Sequence, residues 1–236
     1  MYYFMFDNHN SKNQAIDSHN DYDREICDNC GGIYITYKGI YNFRIMGKLY
    51  DYYLNGESSV ISEKFLNILK KNGFTGYEIS GTTPYHGNVT MEGDPIKEKY
   101  YLFKVTGRCG LVCDMNGEPL PHCKKCGRRF PFTGLVTTGV SFDTDSYDGS
   151  DLFAFENMSN IPIVSEEVKN VLSKSKLSNL RFEPINERII NCAIKRERAL
   201  KRIEEGMACN ELIEAWLKYG VLTEQELNEQ LSKNEN

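Results

Sequence analysis

The segments CDNCG, residues 27–31, and CKKCG, residues 123–127, each place two cysteines three positions apart with a glycine directly after the second. A CxxC pair on a tight turn can aim two thiolates at one ion, and the glycine gives the backbone its freedom at the knuckle. One pair makes half of a tetrahedral site, and two pairs complete an all-cysteine shell. Cys27, Cys30, Cys123 and Cys126 are therefore the expected ligands of one structural Zn2+. Two distant parts of the chain must then meet face to face, and the metal would close a long loop. A local site of Cys109, Cys113, Cys123 and Cys126 stays open as a rival, with His122 able to substitute. Cys192 and Cys209 read as packing residues.

Other chemistry finds no signature. The sequence has no HExxH, GxSxG or P-loop pattern. A zinc deaminase needs His-x-Glu and Pro-Cys-x-x-Cys. Here His122 separates Pro121 from Cys123, and no histidine has a glutamate two positions on. A shell of four cysteines also leaves the metal no position for water, so no enzyme is expected. The acidic stretch SFDTDSYDGSDLF, 141–153, fails the calcium-loop pattern by one residue: counted from Asp143, Tyr147 falls at position 5 and Gly149 at 7. Asp148-Gly149 reads as a turn from which Phe153 and Phe155 return to the core. Asp143, Asp145, Asp148 and Asp151 become candidate contacts for a basic partner, together with the loop 82–95.

The elements that must position these residues repeat. VISEKFLNILKKNGFTGYEI, 60–79, and IVSEEVKNVLSKSKLSNLRFEPI, 163–185, share an aliphatic pair, Ser-Glu, a helical apolar spacing and a closing strand. Ser62 and Ser165 are the expected N-caps. Each unit follows one CxxCG. The fold expected is α+β: a zinc-binding domain, 1–185, of two similar strand/helix halves (about 1–105 and 106–185), clipped by the knuckle pair. Strands are expected at Tyr2–Phe6, Tyr41–Ile45, Leu49–Leu54, Tyr77–Ile79, Tyr100–Thr106 and Leu180–Glu183.

Residues 186–236 form an expected helical C-terminal extension. Ile185, Ile189, Ala193, Leu200 and Ile203 mark a long helix ended by Gly206, Leu212 to Leu217 a second ended by Gly220, and Thr223 with Glu226 a capping box for a third. KRERALKR, 195–202, reads as the wet side of the first. Both cysteine pairs lie upstream of Pro184, so a chain ending there is expected to fold and hold its metal.

The 236 residues are 40% hydrophobic and carry a net charge of -5, which gives no global field for nucleic acid or an anionic membrane. The N-terminus lacks a basic start and a long apolar run, and no stretch is long enough to span a bilayer, so the expected location is the cytoplasm, with reduced thiols.

CDNCG, TGRCG (106–110), CKKCGR, SYDGSDLF and IPIVSEEVKNVL…LRFEPI together resemble the bacterial double-CxxCG motif family over roughly residues 25–185. That family includes immunity proteins of myxobacterial swarming-inhibition toxin systems. The resemblance implies a protein that binds and neutralises a cognate protein toxin. Cys27, Cys30, Cys123 and Cys126 match the family's defining cysteines, and Cys109 matches a further recurrent position. The alternative is a zinc-ribbon-like nucleic-acid or regulatory binding module, supported by the basic run 195–202.

Overall fold

Alternating aromatic and β-branched residues set most strands of this chain, and two serine-capped amphipathic segments set the helices between them. The computed structural model describes residues 1–8, 15–17, 20–55, 58–86 and 94–234. Its strands are β1 (Tyr2–Phe6), β2 (Ala15–Asp17), β3 (Tyr22–Ile26), β4 (Ile33–Tyr37), β5 (Tyr41–Ile45), β6 (Tyr52–Asn55), β7 (Ser58–Ser62), β8 (Tyr77–His86), β9 (Asp94–Pro95), β10 (Tyr100–Val105), β11 (Gly107–Cys109), β12 (Val136–Thr138), β13 (Leu152–Phe155), β14 (Met158–Ser165), β15 (Arg181–Pro184) and β16 (Ile189–Asn191). The helices are α1 (Glu63–Lys71), α2 (Glu166–Lys174), α3 (Arg196–Glu204), α4 (Asn210–Lys218) and α5 (Glu224–Asn234).

The fold is mixed α+β. Among the described residues a seven-stranded sheet runs β2-β5-β8-β10-β7-β6, with β9 on β8. A five-stranded sheet runs β11-β13-β14-β1-β15, and β3–β4 and β12–β16 form separate two-stranded ribbons.

Ser62 accepts the Phe65 N–H at 3.2 Å and Ser165 accepts the Val168 N–H at 3.3 Å, so both expected caps start their helices. α1 buries Phe65, Leu66 and Leu69, and α2 buries Val168 and Leu172. These faces meet in one core with Tyr52, Ile61, Phe103 and Val164. Each such side chain contributes about 1.5–3 kcal/mol through removal from water. A second core gathers Phe4, Phe153, Phe155 and Ile163 with Cys109 and Cys192.

Three expectations change. The long helix through Ile185, Ile189 and Ala193 is absent: Ile190 and Cys192 are buried while Ile189 is 64% exposed, a two-residue alternation, and Ile189–Asn191 pairs with Val136–Thr138 as an antiparallel ribbon. The Asn191 side chain then accepts the Ala193 N–H and turns the chain, so α3 starts only at Arg196. The expected strand Tyr77–Ile79 runs on to His86, because β8 changes partner, pairing antiparallel with β10 as far as Gly81 and parallel with β5 from Thr82. That places Thr82–His86 in a sheet and not in an open loop, while residues 87–93 of the same candidate segment lie outside the described residues.

Candidate metal centre

Each cysteine pair sits on a turn of the same construction. In the first, the Cys27 N–H donates to the Gly32 carbonyl and the Gly31 N–H to the Cys27 carbonyl, both at 2.8 Å. In the second, the Cys123 N–H donates to the Arg128 carbonyl at 2.9 Å and the Gly127 N–H to the Cys123 carbonyl at 2.8 Å. Gly31 and Gly127 hold φ of 68° and 74°, the left-handed region that glycine enters without strain. The first turn closes the β3–β4 hairpin, and the second is framed by a short bridge between His122 and Arg129.

The two turns face each other. Cys27 Sγ lies 3.9 Å from Cys123 Sγ, and Cys30 Sγ lies 3.5 Å from Cys126 Sγ. All four sulfurs fall within 4.8 Å of one another, so the group could hold one metal ion. A tetrahedral ion with metal–sulfur bonds of about 2.3 Å sets its sulfurs about 3.8 Å apart. The donor set and its spacing fit zinc.

Cys109 and Cys113 are buried elsewhere and are not in this group, and the His122 ring lies 2.9 Å from the Leu120 carbonyl. Burial pushes the Cys109 thiol up to about 12, which suits a packing residue. Cys192 and Cys209 are packing residues, as expected: Cys192 lies in the second core, and Cys209 packs beside the four-cysteine group as the N-cap residue of α4.

Surrounding groups fix the turns. Asn29 Nδ2 reaches Cys123 Sγ at 3.3 Å, and the Gly32 N–H reaches Cys30 Sγ at 3.4 Å. Burial works to raise the Cys123 thiol, but the Asn29 amide and the Cys126 and Lys125 N–H groups outweigh it and bring it down to about 7. The Tyr34 hydroxyl donates to the Cys126 carbonyl at 2.7 Å, with the Arg128 guanidinium over its ring. Lys125 pairs with Asp28 at 2.6 Å, across the two turns.

α4 closes the site from outside the expected domain. Glu211, in its first turn, accepts from Asn29 of one turn and from the Lys124 N–H of the other. Trp216 is fully buried and donates from Nε1 to the Phe132 carbonyl at 2.7 Å. Trp216, Phe130, Ile203 and Leu212 pack with Cys27 and Cys123 in one apolar cluster. Sequence reasoning missed this cover. Glu211 carried only the signal of an acidic residue in a first helical turn.

The acidic stretch forms a different feature. Asp143, Asp145 and Asp148 are exposed and Asp151 is half-buried. Asp143 caps a 3-10 turn by accepting the Asp145 N–H, Asp148 accepts the Arg108 and Ser150 N–H groups, and Asp151 accepts the Thr75 N–H. Asp148 and Gly149 turn the chain through the Asp148 carboxylate, which accepts the Ser150 N–H, with Gly149 at φ 83° and, among the described residues, no backbone hydrogen bond closing the turn, and Phe153 and Phe155 return fully buried. In the basic run, Arg196 pairs with Glu226, Arg198 lies over Phe132 and Arg202 donates to the Met207 carbonyl.

Fold and site together define a mixed α+β protein with a four-cysteine candidate metal centre. No protein-family model matches this chain, and no curated protein matches it. Among the described residues no helix is long and apolar enough to cross a membrane.

Proposed function

We propose that this chain is a cytoplasmic, non-catalytic binding protein: an immunity protein that occludes a cognate toxin, built as two similar halves clipped by structural zinc. The observation that carries the non-catalytic part is the meeting of Cys27, Cys30, Cys123 and Cys126 on two turns of like construction. Four thiolates fill a tetrahedral shell, so zinc bound there has no position for water or substrate and contributes to folding. The order of the cysteine and helix motifs supports the immunity reading through the double-CxxCG likeness.

The partner surface proposed is the stretch Asp143–Asp151. Its own caps hold it in shape before any partner arrives, which reduces the ordering cost of association. Its charge would suit a basic toxin and would act mainly on the association rate. The alternative nucleic-acid module rests on the basic run 195–202, whose Arg196, Arg198 and Arg202 already make contacts within the chain.

Co-expression with the toxin of the adjacent gene tests the proposal. The wild-type chain should restore growth, and D145K should restore it less well with unchanged zinc content. Lack of rescue against every neighbouring gene would count against the immunity reading.

A further inference from the structure

We infer that this chain is a covalently fused pair of equivalent units that exchange their first strands, with the four-cysteine centre on the pseudo-twofold axis between them. The inference rests on the two-halves reading above, with the boundary moved from about 105 to ahead of Tyr100 so that β10 opens the second unit, and goes beyond it in stating how the halves hold one another.

The first observation is the strand order. β10 lies between β7 and β8, the strands before and after α1. β1 lies between β14 and β15, the strands before and after α2. The registers correspond residue by residue. Tyr100 faces Ser62, and Tyr101 faces Ile61 on one side and Gly81 on the other. Tyr2 faces Ser165, and Tyr3 faces Val164 on one side and Pro184 on the other. Ser62, Ile61 and Gly81 map onto Ser165, Val164 and Pro184 at one constant offset of 103 positions. The next pairs, Leu102 with Ser80 and Phe4 with Glu183, keep that offset.

The links after the two helices match as well. Gly73 and Gly76 hold φ of 69° and 87°, and Lys176 and Asn179, again 103 positions on, hold 51° and 62°. A lysine in the left-handed region is uncommon, so its place at the glycine's position marks one loop geometry used twice.

In sequence, Tyr-Tyr opens β1 ahead of Cys27 and opens β10 ahead of Cys123. Each unit thus reads strand, cysteine turn, hairpin, helix, strand, and each first strand completes the other unit's sheet. Exchange of an identical element between two copies is a low-cost route to a dimer.

Contacts between the units are reciprocal, as in an isologous pair. The Asp51 carboxylate accepts the Ser178 N–H at 2.8 Å and its hydroxyl at 2.9 Å. The Asp151 carboxylate accepts the Thr75 N–H at 2.9 Å and its hydroxyl at 3.0 Å. The N–H of Asp51 donates back to the Ser178 hydroxyl, and that of Asp151 to the Thr75 hydroxyl. On the axis, equivalent residues touch each other: Cys27 with Cys123, and Cys30 with Cys126.

Two such units are interlocked, so cutting the link between them should release neither. The test places a protease site between His86 and Asp94 of the full chain and cleaves the folded protein. The two pieces should co-elute at the size of the uncut chain and part only in denaturant. Pieces that separate in native buffer would overturn the inference. A second variant removes residues 1–6. Amides at 158–161, 163–165 and 181–183 should then exchange at least about tenfold faster, while those at 59–62 and 77–81 keep their protection. Lost protection in the first unit alone, or in neither, would also overturn it. The zinc content of the uncut chain reads the proposed function separately, since interlocked units without zinc would sink the metal clip and leave the exchange standing.

Discussion

Asn29 touches the Cys123 sulfur and the Glu211 carboxylate with the same amide nitrogen, so one side chain ties a candidate ligand to the covering helix. Groups that orient metal ligands in this way typically change affinity by 10–100-fold when removed. N29A should therefore release zinc to a competing chelator at about tenfold lower chelator strength, with the far-UV spectrum unchanged. The ligands themselves should behave as a set. C27S and C126S should each abolish stoichiometric zinc, read by elemental analysis, while C109S keeps it, because Cys109 lies in the second core. Loss of zinc in C109S with retention in C27S would overturn the ligand assignment.

At the level of elements, α1 and α2 depend on matched caps and on aspartates that reach across to the opposite link. S62A and S165A should each cost about 1 kcal/mol, measured by denaturant unfolding. Ser62 also donates to Asp51 at 2.7 Å, so its loss should be the larger of the two. Burial opposes ionisation of Asp51, but the Ser178 N–H, the Ser62 and Ser178 hydroxyls and Lys64 hold its carboxyl below the ordinary aspartate range. A carboxyl depressed in the folded state stabilises above the unfolded value and loses that contribution as pH falls through the folded one. Wild-type stability should drop on acidification below about pH 4, and D51N should show a smaller drop, read as the difference in unfolding midpoints across that range.

For the whole molecule, the C-terminal helices and the cysteine turns form one cluster, so metal and helices should stabilise each other. W216A leaves a large cavity in this cluster and an unpaired Phe132 carbonyl, and should cost about 3–5 kcal/mol. A chain ending at Pro184 loses Ile185, Ile190 and Cys192 from the second core as well as Glu211 and Trp216 from the metal centre. It should hold zinc more weakly than the full chain, and chelator should unfold it at lower temperature. Thiolates must shed protons to bind metal, so zinc should leave both forms as pH falls, and the truncated form should lose it at the higher pH.

The sequence by itself determined what depends on neighbours along the chain. Ser62 and Ser165 cap because an oxygen three residues before an orphan N–H is a local geometry. The same holds for the glycine knuckles, the Thr223–Glu226 box and the Asp148-Gly149 turn. The four-cysteine group was legible because two CxxCG turns each offer half a shell, and half a shell requires a partner. Tertiary structure decided what depends on register and on distant surfaces. Apolar spacing at Ile185, Ile189 and Ala193 fits a helix, yet Ile189–Asn191 and Val136–Thr138 pair as a two-stranded ribbon, and hydrogen bonds between segments so far apart in sequence cannot be foreseen from local spacing. Likewise Tyr2–Phe6 was legible as a strand, but its place between β14 and β15, strands more than 150 positions further on, follows only from which sheet had an unfilled position. The cover of Trp216 and Glu211 over the cysteines has the same origin: burial of an apolar helix face is specified by the sequence, while the surface it buries against is chosen by the assembled fold.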